Sequence, residues 1–279
     1  MEQQEFDDLI ARLDQAAATS QEEATDNGPL TVAIIGQEGH GRRTTFAAMR
    51  EAMEARQVAI SPVAPADAGL HESCQAIDCD FGDKSFRFIL CPISPDDAPH
   101  AIAALSQAAI VIVVIDATAG ITDEVDDLLN TARTVEVNRV LFYVNKCDLV
   151  EDDAILDQYE QELVQLTEAH SFDKPIIVMG CALGVVEDFR NAKALEEGPA
   201  KEKLLAELAE EDTSITGLIE SVNYAAFAIA SGKAVQATSD LKDKVNQMLG
   251  DSPEEQEAAD ALNQLLSSLE SLNPGAAEN

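Results

Sequence analysis

The sequence predicts a doubly wound α/β fold, a mostly parallel sheet with a helical C-terminal extension. Three observations carry that expectation. Leu30 to Ile35, Ala109 to Asp116 and Val140 to Val144 are compact apolar runs, the pattern of strands covered on both faces. Amphipathic stretches of helical period lie between them. A glycine-rich turn, Gly36 to Gly41, follows the first run at once and leads into a helix. Strands and helices alternating in this order give parallel strands joined by right-handed crossovers.

The elements follow in order. Phe6, Leu9, Ile10 and Leu13 recur at helical spacing, so residues 3–18 read as a short amphipathic helix, with Ser20 to Gly28 a polar linker. Thr44 to Arg56 continues the glycine turn as a helix. Cys74 to Phe81 and Ser85 to Cys91 are extended segments around Gly82-Asp83, the signature of a hairpin. Ala101 to Ile115, interrupted by Ser106 and Gln107, reads as a helix end followed by a strand. Asp123 to Val135 is helical, with Val125, Leu128, Leu129 and Ala132 on one side. Val140 to Val144 is a strand, Ala154 to His170 a helix and Pro175 to Met179 the last strand.

After Leu183 the pattern changes. Residues 184–213 are charged and hold one helix around Lys201 to Glu210. Ser214 to Ala230 is a more apolar helix, with Ile215, Leu218, Ile219, Val222 and Ala226 on one face. Val235 to Leu249 and Pro253 to Leu272 are two further helices. In the last, Leu262, Leu265, Leu266, Leu269 and Leu272 form a narrow stripe, suited to docking on the chain's own domain or to a partner or self-association. The expected organisation is an N-terminal helix and linker (1–28), a nucleotide-binding α/β domain (29–232) with a charged helical insertion near 184–213, and an acidic helical tail (233–279).

Bulk composition excludes several classes. The net charge is −34, from 52 acidic and 18 basic residues, so a polyanion is repelled and neither nucleic acid nor anionic lipid is an expected partner. No stretch reaches the ~18 apolar residues of a membrane helix. Met1 to Asp8 is acidic and lacks the basic start of a secretory signal, so a cytoplasmic protein is expected. The five cysteines are odd in number and show no metal spacing, which fits reduced structural thiols; Cys74 and Cys79, on one expected strand, point to opposite faces. The four histidines, His40, His71, His100 and His170, are too scattered in sequence to suggest a metal site.

The spacing Gly36, four residues, Gly41 is that of a phosphate loop, placed between a buried strand and a helix N-terminus where backbone amides favour an anion. An ordinary strand-to-helix turn can share that spacing, so its neighbours decide. They are Ile35-Gly36-Gln37-Glu38-Gly39-His40-Gly41, Cys91-Pro92 after a hairpin strand, Ile112 to Gly120 with Asp116-Ala117-Thr118-Ala119-Gly120 at its end, Asn145-Lys146-Cys147-Asp148-Leu149-Val150, and Cys181-Ala182-Leu183. In this order, from about Leu30 to Leu183, they resemble the G domain of translation-factor GTPases of the elongation factor Tu type. The resemblance implies a P-loop NTPase-like sheet and a guanine nucleotide, GDP or GTP. It implies that Asp148 accepts paired hydrogen bonds from the guanine edge, which discriminate against adenine. It implies that Asn145 ties the pocket to the phosphate loop, that the stem of Lys146 lies along the base, and that the amide of Ala182 faces the guanine carbonyl. Gly36, Gly39, Gly41, Arg42, Arg43, Thr44, Cys181 and Leu183 complete the expected nucleotide-binding set.

The phosphate side departs from that family. Arg42 stands where the family has the lysine that spans the terminal phosphates, and Arg43 where a threonine hydroxyl binds magnesium. A guanidinium donates only and cannot ligate a cation. Leu90 replaces the aspartate that supports magnesium, Ile93 the glycine that senses the third phosphate, and Ser94 the histidine that orients the attacking water. Counting without gaps puts His71 at the first switch segment's metal-binding threonine. Hydrolysis in this class rests on positioning and charge neutralisation. The expectation is therefore a guanine-nucleotide-binding protein without a well-held magnesium ion, weak or inert in hydrolysis, acting through an unidentified protein partner or self-association of its C-terminal helices. Two alternatives stand beside it: an active GTPase with an arginine-substituted phosphate loop, and a nucleotide-free scaffold. The resemblance stops at Leu183, and the acidic helical residues that follow lack the strand pattern of the family's β-barrel domains.

Overall fold

The computed structural model describes residues 28–248 except 83, 93–96 and 212, with side chains described as far as 232. Among the described residues seven strands form one sheet: β1 (Leu30–Gly36), β2 (Ile60–Val63), β3 (Gln75–Phe81), β4 (Lys84–Leu90), β5 (Ile110–Asp116), β6 (Arg139–Asn145) and β7 (Ile176–Met179). Their order across the sheet is β2-β3-β4-β1-β5-β6-β7. β4, β1, β5, β6 and β7 run parallel, whereas β2 and β3 add an antiparallel edge. The α/β class and the hairpin are as the sequence predicts: Phe81 pairs with Lys84 across the turn, and Gly82 there has φ 63°.

Seven α-helices accompany the sheet among the described residues: α1 (Arg42–Ala55), α2 (Ala98–Leu105), α3 (Asp123–Thr134), α4 (Asp153–Ala169), α5 (Ala182–Ala194), α6 (Pro199–Glu210) and α7 (Ser214–Met248). Alternation along each strand sends residues to opposite faces. On one face Ala33, Ile35, Val111, Val113 and Ile115 pack with Leu105 of α2, Leu129 of α3 and Leu163 of α4. On the other, α1 packs on β1 and β4, and α5 and α6 pack on α1. β5 is buried at all seven positions, so both faces are covered. Burying each large aliphatic side chain contributes roughly 1.5–3 kcal/mol, and a charge at Val113 would break this centre.

Three features differ from the sequence expectation. β2 is a strand that the sequence reading lacks; Pro62 lies within it, which is tolerated because β2 is the edge of the sheet. The charged segment 184–213 contains two helices rather than one, and α5 buries Ala182, Val185, Phe189 and Ala192 at helical spacing. Lys193 of α5 pairs with Glu51 of α1, and the Arg56 Nε donates to the Ala209 carbonyl at 3.0 Å. Finally, Ser214–Met248 is one helix where the sequence suggested a break near residue 232. Gly232 is a weak helix former, by about 1 kcal/mol relative to Ala, but no proline accompanies it and the hydrogen-bond ladder continues. The expected face of Ile215, Leu218, Ile219, Val222 and Ala226 is buried. The helices expected at 3–18 and 253–272 and the leucine stripe lie outside the described residues, as does most of the 1–28 segment. Contacts gather Pro29–Ala226 into one compact unit.

Register sets up the site. Gly36 lies opposite Val114, Asp116 opposite Asn145, and Val144 opposite Met179. The turns after β1, β5, β6 and β7 therefore meet at one edge of the sheet, outside the carboxyl ends of parallel strands, where open α/β sheets bind ligands.

Candidate functional site

The turn after β1 needs its glycines. Gly39 and Gly41 have φ of 84° and 92°, a left-handed conformation that side chains disfavour. A Cβ on Gly41 would meet Asn145 Nδ2 at 2.2 Å, and one on Gly36 would meet the Val114 carbonyl oxygen at 2.4 Å. The loop thus lies tightly on its neighbours. Gly41 caps α1 without a side-chain hydrogen bond, and the first turn of α1 carries no acidic residue. That leaves an uncompensated positive helix end, with Arg42 and Arg43 added to it.

Asn145 is the cross-link of the base side. It is buried; its Nδ2 donates to the His40 carbonyl and its Oδ1 accepts from the Ala182 amide, each at 3.0 Å. One side chain joins the turns after β1, β6 and β7. Lys146, in the left-handed region at φ 63°, donates from Nζ to the Gly39 carbonyl at 2.8 Å and to Asp116 Oδ2. Asp116 also accepts from the Thr118 amide and hydroxyl, at 2.8 and 2.7 Å. Burial works against its charge, but the bonds from Lys146 and Thr118 prevail and hold its carboxyl below the usual value. Asp148 is exposed, on a short 3-10 turn, Cys147–Leu149. It faces Cys181, whose thiol is pushed up by burial and then by that carboxylate. The Cys181 sulfur accepts from the Gly184 amide at 3.4 Å and caps α5, a hydroxyl-like role. Leu183 is exposed beside it.

Asn145 reaches the phosphate loop, Lys146 adds a contact to it that the sequence did not suggest, and Asp148 is brought to Cys181. One expectation is corrected. The Ala182 amide does not face open space for a base carbonyl; it is fully buried and bonded to Asn145. The second turn of the site is thereby locked to the first.

The phosphate side is built differently. Arg42 is 3% exposed, and its Nη1 donates to the Cys91 carbonyl at the end of β4. Its stem runs under the loop, 3.3 Å from where a Gly36 Cβ would be. Among the described residues its Nε has no partner, and neither does Nδ1 of buried His40. Burial, with Arg43 adding to it, lowers the Arg42 pKa to about 10, so the group remains a cation at neutral pH. No carboxylate among the described residues forms an ion pair with it. Arg43 is exposed and Thr44 half-buried. Both arginines line a cleft of about 370 Å³ that also touches Glu38, Ser73, Leu90 and Asp97. Ile93 and Ser94 lie outside the described residues.

Residues 29–250 match the family described as the elongation factor Tu GTP binding domain. The chain belongs to that family. Among solved structures, a bacterial selenocysteine-specific elongation factor, EF-Sec, is similar at 22% identity with a TM-score of 0.45, over 58% of this chain and 28% of that one. Within the elongation factor Tu GTP-binding family, the residues of the base side fit a purine nucleotide: the glycine turn allows close backbone approach, and Asn145 and Lys146 hold the loops together. On the phosphate side, buried Leu90 and donor-only Arg43 offer no oxygen to a hard cation such as magnesium.

Sequence reasoning left four residues out of the site. Asp116 sat within a quoted motif and anchors Lys146. His40 lies buried beneath the loop. His71 and His100, judged too far apart in sequence, stack at 3.6 Å between ring centroids, because the topology brings the start of β3 to the start of α2.

Proposed function

We propose that this chain binds GDP or GTP without requiring magnesium, hydrolyses it poorly or not at all, and acts as a nucleotide-dependent module for a protein partner. The observation that carries this reading is Arg42: a buried cation beneath the phosphate loop, with one carbonyl partner and, among the described residues, an orphan Nε and no carboxylate. A buried charge left unpaired is costly, and a diphosphate or triphosphate in the adjoining cleft supplies the missing anion. Arg43, on the same cleft, adds a second charge where the family holds a metal. Guanine selection falls to Asp148, and the Asn145 and Lys146 cross-links keep its turn in register. Slow hydrolysis follows from the loss of the lysine, the metal ligands and the residue at Ser94, because catalysis of this type is mostly positioning and charge neutralisation. Without that clock, the nucleotide serves as a bound ligand whose presence a partner reads.

A nucleotide-free scaffold is the competing reading. It draws on the inward course of Arg42 and on the Ala182 amide being already bonded. Extraction of freshly purified protein followed by chromatography separates the two. The proposal expects guanine nucleotide in amounts approaching one per chain, and no phosphate release above background when GTP is added. Protein free of nucleotide, with a melting temperature unmoved by millimolar GTP, would favour the scaffold. Phosphate release lost on changing Arg42 and Arg43 to alanine would instead make the chain an active GTPase.

A further inference from the structure

We propose that His71, Asp97 and His100 form a binding site for a divalent transition-metal ion such as zinc, at the rim of the phosphate-side cleft. Each offers one ligand atom, and these atoms lie within 4.8 Å of one another. The two imidazoles are parallel within 4° at a centroid separation of 3.6 Å. Two nitrogens on one tetrahedral zinc, at ~2.0–2.1 Å each, are separated by about 3.3 Å; because the lone pairs of parallel rings do not converge, binding requires the two rings to turn out of their stack until both point at one ion.

The surroundings suit an ion. The Ser73 hydroxyl lies 2.8 Å from His71 Nδ1 and the Ser73 amide donates to the same nitrogen at 3.3 Å, so a metal on Nε2 requires the ring proton to move to Nδ1, where the hydroxyl oxygen can accept it. His100 is in the first turn of α2 and Asp97 immediately precedes it, so two of the three ligands share one rigid element. Asp97 and Ser73 line the cleft next to Arg43, which leaves the ion's fourth position open towards that cleft. His71 is exposed, so the site is accessible. Two imidazoles and one carboxylate suit zinc and its neighbours, whereas magnesium demands an octahedron of oxygens. The strong negative charge of the chain draws any cation towards it.

The site stands apart from the nucleotide reading, and its test uses no nucleotide. Full-length protein, cleared of metal with chelator, is titrated with zinc chloride by calorimetry and with cobalt(II) chloride in visible absorption. The expected result is one tight ion per chain, a four-coordinate cobalt spectrum without thiolate charge transfer, and no displacement by excess magnesium chloride. His71→Ala and His100→Ala each weaken that step by roughly 100-fold, and Asp97→Asn or Ser73→Ala by about tenfold. His71→Gln and His100→Gln keep the bulk of the rings and give the same loss with an unchanged circular dichroism spectrum. Cys147→Ser leaves the step intact. Binding that ignores both histidine substitutions, a thiolate band in the cobalt spectrum, or the absence of a stoichiometric step overturns the proposal.

Discussion

The two halves of this pocket grow from the same sheet edge but are held in opposite ways. The base half is stitched by side chains that bond backbone on other loops: Asn145 to His40 and Ala182, Lys146 to Gly39 and Asp116. Every one of those polar groups has a partner inside the protein. The phosphate half contains a buried arginine with an orphan nitrogen, an apolar Leu90, and an exposed Arg43 over an open cleft. One half satisfies its own polar groups; the other leaves a buried cation that, on the reading proposed above, an anion completes. Changes on the base side should therefore weaken the fold, and changes on the phosphate side should weaken ligand binding while sparing the fold.

Four substitutions probe that contrast, in order of decreasing effect on stability. Asn145→Ala leaves the His40 carbonyl and Ala182 amide buried and unbonded, so urea denaturation should show a loss of about 3 kcal/mol. Gly41→Ala places a Cβ 2.2 Å from Asn145 Nδ2 at φ 92°, and should lose about 2 kcal/mol in the same assay. Arg42→Met replaces an under-partnered buried charge by an apolar chain of similar length. Its stability without nucleotide should stay within about 1 kcal/mol of wild type or rise, while GDP affinity falls roughly tenfold or more. If Arg42→Met unfolds the protein as readily as Asn145→Ala does, the contrast is wrong.

The smallest effect is in pH. Burial lowers the His40 pKa from its ordinary 6.5; the Val114 carbonyl, Asp116 and Glu124 pull it back up and Lys146 pushes it down. Below that ordinary value the unfolded chain takes a proton that the folded chain resists, so stability falls as pH drops from about 7 towards 5. His40→Gln should flatten this part of the melting-temperature profile. An equal slope in the variant would assign the pH dependence to other groups.

Much of this arrangement was legible in the sequence. Apolar runs fixed the inner strands to within a residue or two, because buried parallel strands tolerate nothing else. The Asn145 bridge was implied by the resemblance of Asn145-Lys146-Cys147-Asp148 to the family's base-reading motif. The sequence showed two arginines at the start of α1, but not the course of Arg42, which depends on the space beside Gly36 and on the Cys91 carbonyl across the sheet. β2 escaped notice because Pro62 argues against a strand everywhere except at an edge, and edge position is a tertiary fact. α5 was masked by Gly184 and a charged sequence, although Val185, Phe189 and Ala192 carry its period. The pairing of His71 with His100 could not be read at all, since only the fold brings them together.

The central claim is that arginine charge stands in for a metal ion at the phosphates. Its most direct test is the affinity of the purified, nucleotide-stripped protein for GDP, measured by calorimetry once in excess chelator and once in saturating magnesium chloride. The account predicts binding in both conditions with the same affinity. Binding that appears only with magnesium, or in neither condition, would contradict it.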